Sequence, residues 1–249
     1  MLRFDRRIFF DAVRPSLFSG SLSQRQVDGM NAILAVFEAR AILGGSEDLR
    51  HAGYPLATAY HECSQEMWPI EEYGAPECGG ASYAQVDPET GNRFYGRGLV
   101  QLTWKDNYER ATDELHLTGA NDLVRHPEQA LDPRIASAVM YRGMTAGWFR
   151  THDDGKPETL DRYFNDTVDD AYLAREIING DKTKVPSWSN GVSIGNLIAG
   201  YHEKFLAALD ESLVETDWIP PVPSPIAQIV VRYRVESDAP VSIAFQEEE

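Results

Sequence analysis

Apolar residues recur at three- and four-residue spacing along most of the chain before Ile219, which predicts helices with one buried face. Phe4, Ile8 and Val13 mark a short helix over residues 4–14, stopped by Pro15. Ser23 followed by Gln26 reads as a capping box. The helix behind it sets Val27, Met30, Leu34, Phe37 and Ala41 on one face and ends at Gly44 and Gly45. Pro55 suits the first turn of a third helix, where its missing N–H has no intrahelical partner anyway. Leu56, Ala59, Tyr60, Cys63 and Met67 draw its apolar stripe, with Glu62 at the edge and Glu66 one turn further on.

The pattern then changes. Residues 82–86 and 92–95 flank Asp87-Pro-Glu-Thr-Gly91, which predicts a small β-hairpin with a Gly-closed turn. Thr103 is placed to cap a helix over 104–116, and Asp132-Pro133 to cap one carrying Ile135, Val139 and Met140 up to Gly147-Trp148. A further helix runs from Asp170 to Ile178 and closes at Asn179-Gly180. Ser193 caps the last, which buries Ile194, Leu197, Tyr201, Phe205 and Leu209. Trp104 and Trp148 are assigned to the core. From Ile219 the run Ile-Pro-Pro-Val-Pro-Ser-Pro225 is a stiff linker. Val231, Tyr233 and Val235, then Val241, Ile243 and Phe245, alternate with polar residues as a second hairpin with one apolar face. Two strands alone are marginal in water, so this hairpin calls for the body, a partner or another copy of the chain. The organisation expected is a body over 1–214 and an extension over 215–249.

A formal net charge of −16 removes nucleic acid as a partner, since that needs a basic face. It also removes any electrostatic pull toward membranes or wall polymers. Two cysteines, Cys63 and Cys78, do not make a disulfide scaffold, and two free thiols are expected. Met1 to Phe10 lacks an apolar segment and a cleavage site, so it is not a signal peptide. The expectation is a protein held in the cytoplasm until something else releases it.

The candidate chemistry lies between Pro55 and Asn107. Glu62 stands beside an apolar stripe, where desolvation would raise a carboxyl pKa and let it hold a proton near neutrality. The Gly-rich run Tyr95-Gly-Arg-Gly-Leu-Val-Gln-Leu-Thr103 presents Tyr95, Arg97, Gln101 and Thr103, with Asn107 just beyond. Gly96 and Gly98 allow positive φ and close approach to a ligand. A lone acid facing a polar platform is what glycosidic bond cleavage requires. His61-Glu62 suggests the zinc motif H-E-x-x-H, but Gln65 stands where the second His is needed. No metal and no cofactor are expected.

These segments together resemble the family 19 glycoside hydrolases, in the short form of phage endolysins and small bacterial chitinases. The resemblance is carried by His61-Glu62, Pro69-Ile-Glu-Glu-Tyr-Gly74, Tyr95-Gly-Arg-Gly-Leu-Val-Gln-Leu-Thr-Trp104, Asn107-Tyr108, Leu131-Asp-Pro133, Gly147-Trp-Phe149 and Ile177-Ile-Asn-Gly180, and spans about residues 7 to 210. It implies a mainly α, lysozyme-like α+β fold with a small β-hairpin beside the cleft, to which the C-terminal hairpin is an addition. It implies Glu62 as general acid and Glu72 as the base that activates water, with Glu71 as alternative. Thr103 would hold the water, and Gln101, Asn107 and Asn179 would bind sugar. Tyr95 would stack or hydrogen-bond at the rim, while Arg97 either orients a carboxylate or clamps the turn.

The first function implied is an endolysin-type hydrolase cutting β-1,4 bonds of peptidoglycan with inversion. The second is a chitinase with the same machinery. The third is an inactive wall-binding or structural protein on a lysozyme-like fold.

Overall fold

A computed structural model describes residues 2–42 and 45–215. In chain order its elements are β1 (Leu2–Phe4), α1 (Arg6–Leu17), α2 (Gln24–Ile42), α3 (Arg50–Glu62), β2 (Ile70–Glu71), β3 (Arg97–Gly98), α4 (Lys105–Glu114), α5 (Pro133–Ala146), α6 (Leu160–Tyr163), α7 (Ile194–Ser212) and β4 (Leu213–Glu215), with short 3-10 turns between them. α3 is the axis. Every residue from His51 to Tyr60 is buried, as a helix enclosed by other helices requires. α7 and α2 pack on α3, α1 packs on α7, and α5 packs on α2. β1 and β4 pair antiparallel, Leu2 opposite Glu215 and Phe4 opposite Leu213. β2 and β3 also pair antiparallel, Ile70 opposite Gly98 and Glu71 opposite Arg97.

Several caps are where the sequence puts them. Ser23 N–H donates to Gln26 Oε1 (2.9 Å), and Gln26 N–H donates to Ser23 Oγ (3.1 Å), a reciprocal capping box. Asp132 accepts from Arg134 N–H at the start of α5. The predicted faces of α2 and α7 are buried at Met30, Leu34, Phe37, Ala41, Ile194, Phe205 and Leu209.

Other boundaries differ. α1 passes through Pro15 to Leu17, since a proline in the last turn forfeits one bond where the helix is about to stop. α3 starts at Arg50 rather than Pro55, because Asp48 caps the Arg50 N–H (2.9 Å) and starts the helix earlier. It also ends sooner. Ser64, Gln65 and Met67 have φ of 48°, 70° and 54°, and Gln65 N–H reaches back to Tyr60 O (2.8 Å). Glu66 therefore leaves the helical stripe and is exposed.

The expected hairpin over 82–86 and 92–95 does not form. Residues Ser82–Ala84 make a 3-10 turn. The Asp87 side chain gathers Glu89 N–H, Thr90 N–H and the Thr90 hydroxyl, closing the loop locally in place of a ladder. The strand pair beside the candidate site is β2–β3 instead. The expected helix over 170–178 reduces to a 3-10 run, Leu173–Ile177, with Asp170 capping Leu173 N–H (2.8 Å). The proline-rich linker and C-terminal hairpin lie outside the described residues.

Candidate active site

Glu62 is the last residue of α3, so a fully buried helix delivers it to the surface. Its side chain is 18% exposed. It is not the isolated acid in an apolar wall that the stripe predicted. Arg175, in the 3-10 run Leu173–Ile177, is only 3% exposed and donates from one guanidinium nitrogen to Glu62. The same guanidinium donates to Asp181 through Nε (2.6 Å) and the other terminal nitrogen (3.3 Å). Burial pushes Arg175 toward the neutral form, but the bonds to Asp181 and the charge of Glu62 outweigh it and hold it above its ordinary value. Burial likewise raises Asp181, and Arg175 more than reverses that.

Cys63 lies under the carbonyls of Gly98 (4.0 Å) and Leu99 (3.9 Å), linking the end of α3 to the Gly-rich turn. Burial first, and the charge of Glu62 second, push its thiol up to about 12. Cys63 and Cys78 are both free thiols, as expected.

Glu71, which ends β2, and Glu72, the residue after it, find different partners. Glu71 accepts from the Tyr95 hydroxyl (2.8 Å) and lies 3.5 Å from Arg97 Nε. Glu72 accepts from the Tyr83 hydroxyl (2.5 Å) and from Gly96 N–H (3.1 Å). The bond to Glu72 and then burial push the Tyr83 phenol up to about 12, so it stays a proton donor throughout the physiological range. Gly96 has a specific reason to lack a side chain. A Cβ there would sit 2.9 Å from Gln101 Oε1 and 3.2 Å from Glu72 Oε2. Gly98 takes φ 94° and faces Ala130 O just as closely.

The Gly-rich turn is held by its own polar groups. Arg97 is 5% exposed. Its guanidinium stacks 3.6 Å from the Tyr95 ring centroid and donates to Arg93 O (3.0 Å) and the Tyr108 hydroxyl (3.1 Å), and that hydroxyl donates to Tyr95 O (2.7 Å). These bonds clamp the turn together, and the same guanidinium also faces the Glu71 carboxylate, so both expectations for Arg97 have a geometric counterpart. Tyr95 is inside that clamp and buried, not on a rim.

Gln101, at φ 55°, donates to Ile70 O (3.1 Å) and Gly98 O (3.3 Å). Thr103 does not cap α4. Its hydroxyl donates to Gln101 O (2.7 Å), and Trp104 takes the cap position at φ 74°. Asn107 donates to Thr103 O (2.7 Å). These bonds use donors. The Gln101 and Thr103 side-chain oxygens keep acceptor capacity for another molecule.

Asn179 is exposed on the segment between Arg175 and Asp181, the two residues tied to Glu62, and its N–H donates to Arg175 O (3.0 Å). The tertiary structure adds residues that pattern reading missed. Arg175 and Asp181 stand in the sequence only as charges on either side of Ile-Ile-Asn-Gly, with no local pattern that sets them apart. Tyr83 carried no signal. Trp104 is 52% exposed and meets the Tyr83 ring edge-on at 5.3 Å, so it is not core. Trp148 does pack against the core.

No family model matches the chain. Acidic endochitinase Q of Nicotiana tabacum is 29% identical over 107 residues, 43% of this chain and 38% of that protein. The acidic 26 kDa endochitinase of Solanum lycopersicum is 41% identical over 71 residues, 28% of this chain and 25% of that protein. The chain thus spans between 25% and 38% of the length of these two relatives. The crystal structure of a chitinase C mutant aligns with a TM-score of 0.53 at 18% identity, over 83% of this chain and 76% of that one. The chain resembles family 19 chitinases, as its motifs predict, and its mainly helical fold with small antiparallel sheets is theirs.

Proposed function

We propose that this chain is an inverting glycoside hydrolase acting on β-1,4-linked N-acetylated glycans. The observation that carries the reading is Glu62 bonded to a guanidinium that Asp181 also neutralises. With one cation between two acids, Arg175 keeps Asp181 as a partner while the Glu62 carboxyl engages substrate. As general acid it protonates the glycosidic oxygen while the bond to C1 breaks. Glu72 is the base. Its two donors, Tyr83 and Gly96 N–H, fix both oxygens and leave lone pairs to receive a proton from water. Thr103 supplies an oxygen that can accept from the same water.

The relatives bring chitin forward as substrate, since those reported are named endochitinases and a chitinase. One observation favours peptidoglycan, which has the same β-1,4 linkage and also carries charged peptides. A cavity of about 520 Å³ next to the Arg175–Asp181 segment is lined by Arg150, Glu158, Arg162, Glu176 and Lys182, groups of both signs. A glycol-chitin assay run beside a turbidity assay on outer-membrane-permeabilised Gram-negative cells separates the two. Clearing of cells without release from glycol-chitin assigns peptidoglycan, and the reverse assigns chitin. Activity on neither overturns the hydrolase and leaves a wall-binding protein.

A further inference from the structure

The loop between Asp181 and α7 holds an aromatic ring in solvent beside the candidate acid. Trp188 is 63% exposed. Its ring lies 6.5 Å from the His61 ring centroid, tilted by 39°, and His61 immediately precedes Glu62. The loop is tied down on both sides of it. Lys184 N–H donates to Asp181 O (2.9 Å) and Ile194 N–H to Lys184 O (2.9 Å), while Gly195 N–H reaches Lys182 O (3.0 Å). The buried Ser189, next after Trp188, donates to Pro186 O from both its N–H (3.1 Å) and its hydroxyl (2.8 Å). A ring this large left uncovered on a bonded loop keeps apolar area in water that burial would favour.

We propose that Trp188 is a stacking platform for a pyranose ring of the glycan whose bond meets Glu62. The inference rests on the hydrolase reading. The loop starts at Asp181, which shares Arg175 with Glu62, so a glycan reaching the acid passes the segment that carries Trp188. A β-linked pyranose presents a face of C–H groups, and a flat indole covers it with a small loss of side-chain freedom. Trp188 is a positioning residue, because it would touch a sugar away from the bond that breaks.

The test uses soluble β-1,4 N-acetylglucosamine oligomers on the full chain, with Trp188→Ala and Trp188→Phe beside the wild type. Trp188→Ala should raise the KM for the hexamer about tenfold, as loss of roughly 1.4 kcal/mol of stacking would. kcat should stay within about twofold, and Trp188→Phe should recover most of the affinity. Fluorine NMR of fluorotryptophan-labelled protein should show the Trp188 resonance moving on hexamer addition, which reads binding whether or not a variant folds. A wild type that cleaves the hexamer with no movement of that resonance, or a Trp188→Ala with unchanged KM, overturns the platform and leaves the hydrolase reading standing. A wild type that neither binds nor cleaves the oligomers overturns the platform, and one that also fails to clear permeabilised Gram-negative cells overturns the hydrolase reading as well.

Discussion

Glu62 and Asp181, far apart in the chain, grip the same guanidinium, that of Arg175. If Glu62 is the acid proposed above, Arg175 orients it. Arg175→Ala leaves Glu62 and Asp181 facing each other without a cation, so kcat should fall by a factor on the order of 10² while KM changes little. Arg175→Lys should recover part of that. Glu62→Gln keeps the size of the side chain and removes the ionisable group, and should lower turnover by a factor on the order of 10² to 10⁴ in a protein that still folds, with a lower melting temperature because the buried Arg175 loses one of its two charged partners. Steady-state kinetics on soluble oligomers, with circular dichroism for the fold, checks all three.

Glu71 and Glu72 are separable. Glu72→Gln should abolish most turnover, and Tyr83→Phe should lower it about tenfold by releasing one oxygen of Glu72. Glu71→Gln should instead lower the melting temperature, because Glu71 meets the clamp of Tyr95 and Arg97. If Glu71→Gln loses turnover while folded and Glu72→Gln does not, the base is Glu71.

A water activated by Glu72 gives inversion, so a β-linked substrate should release the α-anomer first. NMR of the reducing end in the first minutes, before mutarotation, reads this directly. A β-anomer appearing first would require a nucleophile about 5 Å from the acid. Glu66 leaves the helical stripe once α3 ends at Glu62, so it does not share a helix face with the acid, and an initial β-anomer would make it the first nucleophile to test.

His202 predicts acid sensitivity. It is buried between Tyr54 (5.7 Å between ring centroids) and Phe164 (5.2 Å). Burial pushes it from 6.5 down to about 4. The unfolded chain therefore binds a proton below about pH 6.5 that the folded chain refuses until about pH 4, and stability falls as pH falls through that window. The loss should reach about 3 kcal/mol, at about 1.4 kcal/mol per pH unit. Urea melts at pH 7 and pH 4.5 should show the difference, and His202→Phe should shrink it.

Arg97→Ala should act on stability and not on chemistry. It removes two hydrogen bonds and the stack on Tyr95, costing roughly 2 to 3 kcal/mol. Ending the chain after Glu215 keeps the β1–β4 pair intact. That truncated chain should still cleave soluble oligomers, and EDTA should not slow it, because Gln65 fills the place of a second histidine. A truncated chain that stays folded yet inactive would put the tail in the active site.

The sequence by itself determined the helical scaffold. Faces such as Met30, Leu34 and Phe37 repeat at helical spacing, and caps such as Ser23 with Gln26 act between residues three apart, so both are local and legible. It also determined the Gly-rich turn, because Gly96 and Gly98 mark where no side chain fits. Only the tertiary structure decided the surroundings of Glu62. Its partner Arg175 is remote in sequence, and no local pattern reports a contact of that range. The same holds for Tyr83 on Glu72 and for Arg97, whose role depends on Tyr95 and Tyr108 closing around it. Where local rules failed, as at the hairpin expected around Asp87, side-chain bonds offered the backbone a cheaper partner than a strand. Long-range pairing is settled by which burial the whole chain can satisfy at once, and that is read from the fold.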